Sequence, residues 1–224
     1  MNKRTLATMA VVIVLCASSA VLFVGCRAPA RTDETLLGVL PAGYDVVGTI
    51  TSKDGLHIAF VLVKGDKQRV AIDGRLGPEC DGILASTPLF SPDGRRAAYA
   101  AQNGNKWLVV IDGRPGPAYD AAGDIVFSPD GKHVAYRSQK GTKHLVVVDG
   151  QPSPEYDGSG GPVFSPDGKR VAYGAQKGSK WLVLINSQPG PEYDEIVKGG
   201  PAFLPDGSLE YLALRSGSLF RVEQ

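Results

Sequence analysis

Short apolar runs recur along the chain, and turn-forming residues bound each of them. Between Gly161 and Val197 the order is GPVFS, the turn PDG, KRVAYGAQ, the turn KGS, KWLVLI, the turn NSQPG and PEYDEIV. In KRVAYGAQ charged and small or apolar positions roughly alternate, which is the period of a strand with unlike faces. WLVLI is nearly all apolar and suits a central strand buried on both faces of stacked sheets. β-branched and aromatic residues fill the runs, and no long amphipathic helical pattern lies between them. The unit therefore reads as four β-strands, and the chain as all-β.

The unit repeats. The aspartate of the DG turn falls at Asp93, Asp130 and Asp167, 37 residues apart each time, and weaker copies put Asp54 and Asp206 39 residues to either side. A period near 40 marks a propeller or a solenoid. A single sheet of this size cannot bury both its faces, whereas several packed radially can. Pro41 to Val47, PAGYDVV, repeats the fourth-strand phrase GPAYDAA (Gly116 to Ala122) and GPEYDEI (Gly190 to Ile196). The last unit ends on SLFRVEQ, with Phe220 in the third-strand place of Trp181. The expected fold is a five-bladed β-propeller of four-stranded blades, its ring closed by an N-terminal strand in the last blade. The blades fall near 48–84, 85–122, 123–160, 161–198 and 199–224, the last completed by 38–47. Closure would also remove exposed sheet edges.

The most regular phrase is FSPDGKRVAY (Phe164 to Tyr173), with FSPDGKHVAY (Phe127 to Tyr136) and FSPDGRRAAY (Phe90 to Tyr99) before it. Turn chemistry accounts for its letters. Pro presets φ, Asp bonds back to the local backbone, and Gly takes positive φ. Asp54, Asp93, Asp130, Asp167 and Asp206 are thus expected to be structural, on the rims of different blades and too far apart to converge on one ion. Phe90, Phe127, Phe164 and Phe203 are expected between blades. These phrases resemble the WD-like repeats of TolB-type propellers, over roughly residues 38–224. The resemblance implies a propeller in an exported protein that acts through contacts at the cell envelope. Proteins of that type carry a separate N-terminal domain, which this chain is expected to lack, and VVVDGQPSPEYD departs from the usual half-repeat.

The N-terminal MNKRTLATMAVVIVLCASSAVLFVGC has a basic start at Lys3 and Arg4, a long apolar run and a small-residue end, the pattern of a signal peptide over 1–25. LFVGC resembles the lipobox of bacterial lipoproteins. That resemblance makes Cys26, after small Gly25, the lipidated residue, although Phe23 departs from the usual smaller aliphatic. Cys16 follows bulky Leu15 and fits less well. A single uncleaved transmembrane helix is the alternative, since residues 5–25 are long enough to span a bilayer. Ordinary secretion is a third. Each puts the remainder outside the cytoplasm. Polar, proline-containing 26–37 reads as a tether. Only Cys80 then remains in the folded part, so neither a disulfide nor a cysteine metal cluster is expected.

Composition sharpens this little. Gly (28) and Pro (16) fit a turn-rich all-β chain, and 24 basic against 23 acidic residues give no footprint for nucleic acid. A second recurrence joins Tyr119 to Asp120, Tyr156 to Asp157 and Tyr193 to Asp194, with Tyr44–Asp45 earlier and Cys80 replacing the aromatic before Asp81. It reads as turn caps and hydrogen bonds between blades, or as a ring of equivalent pockets for sugars or peptide ends. A glycoside hydrolase would need two carboxylates about 5 to 10 Å apart across the channel. Asp124 is the only acid among the first strands. His57 and His133 stand where Arg96 and Arg170 stand in other units and read as solvent-facing; His144 replaces Trp107 and Trp181. No cofactor is expected. The function expected is a non-catalytic, envelope-tethered scaffold that binds another envelope protein or a small ligand. A carbohydrate-active or lactone-hydrolysing propeller is the alternative.

Overall fold

The computed structural model describes residues 40–197 and 199–224, so the expected signal peptide, Cys26 and the tether lie outside the described residues. The described residues form five antiparallel sheets that follow one another along the chain. Sheet 1 is β1 (Asp45–Thr51), β2 (Ile58–Lys64), β3 (Lys67–Ile72) and β4 (Arg75–Leu76). Sheet 2 is β5 (Gly82–Ile83), β6 (Leu89–Phe90), β7 (Ala97–Asn103), β8 (Lys106–Ile111) and β9 (Arg114–Tyr119). Sheet 3 is β10 (Ala121–Phe127), β11 (Val134–Lys140), β12 (Lys143–Val148) and β13 (Gln151–Pro152). Sheet 4 is β14 (Gly158–Ser159), β15 (Val163–Phe164), β16 (Val171–Lys177), β17 (Lys180–Ile185) and β18 (Gln188–Tyr193). Sheet 5 is β19 (Glu195–Ile196), β20 (Ala202–Phe203), β21 (Leu209–Arg215) and β22 (Ser218–Glu223).

The first strand is continuous in sheets 1 and 3 and broken into two pieces in the other three. Proline explains the difference. Pro88, Pro162 and Pro201 stand in the broken strands where Thr49 and Ile125 stand in the continuous ones. A proline has no N–H for the ladder and so interrupts pairing. Both pieces still pair with the same second strand, as Gly158 with Gln176 and Phe164 with Val171.

Alternation along the second and third strands builds the core between sheets. Ala98, Ala100 and Val109 face sheet 3, whereas Tyr99, Ala101 and Val110 face sheet 1. Small residues on the second strand make room for one tyrosine per junction, and Tyr99, Tyr136, Tyr173 and Tyr211 are all buried. The apolar run of β17 is divided the same way, Leu182 and Leu184 toward sheet 3, Val183 and Ile185 toward sheet 5.

Polar contacts then fix each sheet on the next. Asp81, Asp120, Asp157 and Asp194 each open a new sheet. One carboxylate oxygen accepts a backbone N–H of that sheet's own hairpin, from Gly104 (2.5 Å), Gly141 (2.7 Å), Gly178 (2.7 Å) and Ser216 (2.7 Å). The other meets a lysine of the preceding sheet: Lys67, Lys106 and Lys143 at 2.5 Å, and Lys180. Basic side chains also reach forward onto the next sheet's phenylalanine. The His57 and Phe90 rings are 6.4 Å apart, and those of His133 and Phe164 6.5 Å. Arg96 lies 5.6 Å from the Phe127 ring and Arg170 5.0 Å from that of Phe203.

These contacts bind sheets 1 to 5 in order and do not recur between sheets 5 and 1. Ser218 stands in the lysine position, and Asp45 makes no side-chain hydrogen bond or ion pair among the described residues. No hydrogen bond joins β19–β22 to β1–β4 among those residues. The expectation that Pro41 to Val47 completes the last blade is corrected here. Ala42 and Gly43 form a turn, and Asp45–Thr51 is the first strand of sheet 1, with Asp45 opposite Val63. The reason is that the phrase straddles a sheet boundary. The tyrosine ends one sheet and the aspartate begins the next, so every sheet also starts a few residues before the expected blade limits. Tyr44 keeps its part of the pattern, with Lys64 5.4 Å from its ring as Arg215 is 5.5 Å from that of Tyr193. On sheet 5, Tyr211, Ala213 and Val222 face sheet 4. The alternating Glu210 and Arg221 therefore face away, paired at 2.8 Å, where Ala172 and Val183 of sheet 4 form core. A polar outer face suits a terminal repeat.

The glycines of the DG turns test this order. Gly131 and Gly55 share a left-handed φ of 72° and 73°. A Cβ on Gly131 would lie 2.7 Å from Asp93 Oδ1 of the preceding sheet, whereas one on Gly55 meets nothing within 4 Å. Gly55→Ala should cost only the conformational strain of ~1–2 kcal/mol. Gly131→Ala should cost a further ~1–3 kcal/mol for the forced contact. Urea unfolding of both variants checks this, and equal losses would separate the turns of neighbouring sheets.

Candidate functional site

The repeated phrases supply the candidate residues, and the structure shows what each side chain touches. In the turns, Ser91, Ser128 and Ser165 donate Oγ–H to Asp93 (2.6 Å), Asp130 (2.6 Å) and Asp167 (2.5 Å). Ser52 does the same for Asp54. The same carboxylate oxygen accepts the backbone N–H two residues on, from Leu56, Arg95, Lys132 and Lys169. Asp206 takes both bonds from Ser208. Each serine Oγ in turn accepts an N–H at the end of the turn, from His57, Arg96, His133 and Arg170. The turn is a closed hydrogen-bond loop built from the letters S, D and G.

One expectation about these turns needs correcting. Adjacent turns are not far apart. The Cβ direction of Gly94, Gly131 and Gly168 points at Asp54, Asp93 and Asp130 of the sheet before, at 3.0, 2.7 and 2.9 Å. Only glycine permits that approach. The turns nevertheless form no cluster of three or more His, Cys, Asp or Glu fit for a metal among the described residues.

In the second recurrence, Tyr119 and Tyr193 are buried and Tyr156 is half-buried. Asp120, Asp157 and Asp194 have both oxygens engaged, by the lysine and the hairpin N–H described above. Their lysine bonds chiefly, and the backbone bonds next, hold all three carboxyls below their ordinary range. Each of these carboxylates is thus taken up by protein groups on both oxygens. Cys80, in the tyrosine position of sheet 1, is buried and directs Sγ at Gln68 O, 3.2 Å away. Burial pushes its thiol pKa up.

His57 and His133, besides their ring contacts with the next sheet's Phe90 and Phe164, each pair with an aspartate of their own sheet. His57 Nδ1 is 2.7 Å from Asp73 Oδ2, and His133 Nδ1 2.6 Å from Asp149 Oδ2. The other oxygens of those aspartates accept the N–H of Ile58 and Val134. The hydrogen bond to Asp73 raises the pKa of His57. His144 lines a shallow pocket with Asp124 and Arg137. Asp124 is held by Arg137 Nε at 3.0 Å.

What sequence reasoning missed is a groove between sheets 1 and 2, of about 460 Å³. Val70, Ile72, Phe90 and Ala97 supply its apolar wall, and His57, Arg75, Arg95 and Arg96 its basic groups. The signal was present in the unit's departures from its neighbours. Leu76 replaces the proline of Pro115, Pro152 and Pro189, and Cys80 replaces tyrosine.

No protein-family model matches the chain, and neither does any curated protein. Among solved structures it is similar to TolB from Acinetobacter baumannii, at 17% identity over 81% of this chain and 52% of that one, with a TM-score of 0.43. The chain thus spans about half the length of that protein. It is also similar to the β-propeller domain of the Trilobed protease from Pyrococcus furiosus, whose topology is an open velcro. That match has 11% identity, covers 83% of this chain and 82% of the other, and has a TM-score of 0.42. A third is prolyl oligopeptidase B from Galerina marginata, at 14% identity, 81% and 33% coverage and a TM-score of 0.46. Scores of this size assign neither family nor activity.

Two outcomes follow from the site chemistry. The serine bond and the lysine-side backbone bond lower the Asp130 pKa from 3.8 to about 2, and the other turn aspartates shift the same way. A depressed carboxyl stabilises the fold above its unfolded pKa and loses that contribution as pH falls through the folded value. Stability should therefore drop as pH falls from 3.8 to about 2, and Ser128→Ala should flatten that slope in acid titration of the unfolding free energy. Cys80, a protonated buried thiol, should react with iodoacetamide only when denaturant opens the fold. Fast labelling of the native protein would contradict its placement.

Proposed function

We propose that this chain is a five-bladed propeller of the TolB kind that works as a non-catalytic binding scaffold, held at the cell envelope by lipid on Cys26. The observation that carries the reading is how the repeated acidic residues are engaged. The turn aspartates close loops with serine and backbone N–H groups, and the sheet-opening aspartates join lysine to a hairpin N–H. Asp124, on the first strand of sheet 3, is paired with Arg137. A hydrolytic dyad needs one acid free to transfer a proton and a second placed to assist it, and these carboxylates are engaged in holding structure. The partner would be another envelope protein or a small ligand, met by the surface left between the sheets' fixed contacts. Lipid at Cys26 would supply a tether whose strength comes from buried methylenes.

The test uses the full chain. Cys26→Ser should move the protein from the membrane fraction to the soluble one, or leave the precursor unprocessed. Mass spectrometry finding an unmodified Cys26 on membrane-bound mature protein would contradict the tether. The purified protein should leave chromogenic glycosides and lactones intact. Turnover that Asp124→Asn abolishes would replace the scaffold reading with the hydrolytic one.

A further inference from the structure

The groove between sheets 1 and 2 differs from the other junctions at Leu76. Sheet 1 ends in a two-residue fourth strand, Arg75–Leu76, as sheet 3 does in Gln151–Pro152, whereas sheets 2 and 4 end in six residues each. Leu76, 41% exposed, presents a branched apolar side chain where the other units have proline. Gly77 follows, its N–H bonded to Val70 O. Glycine holds the same place in sheets 2 and 4, as Gly116 and Gly190, whereas in sheet 3 it is Ser153, its N–H bonded to Val146 O and its Oγ accepting the Val146 N–H at 3.1 Å. Without a side chain, Gly77 leaves room for Tyr99, whose hydroxyl would lie 2.3 Å from a Cβ at that position.

That hydroxyl has no hydrogen-bond partner, although Tyr99 is only 1% exposed. A buried unpaired hydroxyl is unfavourable and asks for a ligand oxygen or a water. Tyr173 and Tyr211 are also unpaired, but neither lines the groove. Tyr99 does, beside four basic residues. Their acids are already engaged. Asp73 holds His57, and Asp112 holds Arg96 at 3.0 Å. The Arg75 side chain makes no hydrogen bond or ion pair among the described residues, its backbone pairing with Ile72. Arg95 is 84% exposed and reaches Asp93 only at 4.0 Å. Two guanidinium groups are thus left over an apolar wall of Val70, Ile72, Leu76 and Phe90, with a buried O–H donor at its inner end.

We propose that this groove binds a carboxylate joined to a compact apolar body. The carboxylate takes charge-assisted hydrogen bonds from Arg75 and Arg95. The apolar body lies against Phe90, Ile72 and Leu76. The Tyr99 hydroxyl donates to a ligand oxygen. A volume of about 460 Å³ suits a single amino-acid-sized group. The same chemistry occurs in a free arylalkyl acid and in the C-terminal residue of a peptide. The inference goes beyond the scaffold reading and shares with it only that the ligand is bound and not converted.

The test is calorimetric titration of the full chain in detergent with 3-phenylpropanoate, 3-phenylpropanamide and N-acetyl-Gly-Gly-Phe bearing a free carboxylate. The acid should bind at least about tenfold tighter than the amide. Arg75→Ala and Arg95→Ala should each weaken it about tenfold. Tyr99→Phe should weaken binding without lowering the melting temperature, because it removes a hydroxyl that is unpaired in the ligand-free protein; a purely structural tyrosine would leave affinity unmoved. Tighter binding of the peptide would support the groove as a chain-end site, and tighter binding of the small acid as a site for free acids. Equal affinity for acid and amide, unchanged affinity in both arginine variants, or no acid binding with Kd below ~1 mM would overturn the proposal. Recovery of altered probe would instead contradict the non-catalytic reading, so the two failures are distinct.

Discussion

One carboxylate serves two sheets at each junction of this protein, and the order of the whole described fold depends on it. Asp120 fixes the hairpin of sheet 3 through the Gly141 N–H while gripping Lys106 of sheet 2. Apolar burial supplies most of the attraction between sheets, but it is non-directional. It would tolerate a slide or rotation of one sheet over the next. The aspartate does not, because both its oxygens have placed partners. Exposed ion pairs contribute little to stability singly. Their value here lies in register, repeated at four junctions together with the cation or histidine set against the next phenylalanine.

The departures from the repeat are as informative as the repeat. Sheet 5 lacks the lysine, which is Ser218, and lacks the forward basic residue, where Ser208 stands after a shortened turn. Its outward face carries Glu210 paired with Arg221 in positions that are core elsewhere. All three changes concern the same seam. They mark sheets 1 and 5 as end sheets of the described residues. Sheet 1 departs in a different way. Leu76 and Cys80 replace the proline and tyrosine of the other units, and a groove lies toward sheet 2 beside Leu76 while the Lys67–Asp81 junction is kept. Four junctions thus share one scaffold, and one of them has been altered at its wall.

Much of this could be read from the letters alone. Alternation in KRVAYGAQ and the apolar run WLVLI gave the second and third strands, because burial on unlike or like faces leaves a direct periodic trace. The DG turns were legible because positive φ and local carboxylate bonds demand those residues. Phe90, Phe127, Phe164 and Phe203 were placed between sheets for the same reason of repetition. The boundaries were not legible. Tyr and Asp are neighbours in sequence, yet one ends a sheet and the other begins the next, and only the direction of the Asp120 bonds reveals that. The placing of Asp45 to Val47 in the last blade rather than in sheet 1 came from this point. The contact between successive turns also left no trace, since a glycine needed for φ looks the same as one needed for a neighbour's approach. The groove was legible only as a departure from the repeat, Leu76 where the other units have proline, since Gly77 recurs as Gly116 and Gly190.

Amide hydrogen exchange at Gly141 tests the central claim most directly. Its N–H is held by Asp120, and Asp120 is held in turn by Lys106 of the preceding sheet. If the aspartate couples sheets, Lys106→Ala must loosen an amide in a sheet that the substitution does not touch. The account expects Gly141 to exchange slowly in the unaltered protein and distinctly faster in Lys106→Ala, while Gly178, held through Lys143 and Asp157, stays as slow as before. Unchanged exchange at Gly141 in the variant would contradict it, because the hairpin would then be held within its own sheet and the lysine would have no part in joining one sheet to the next.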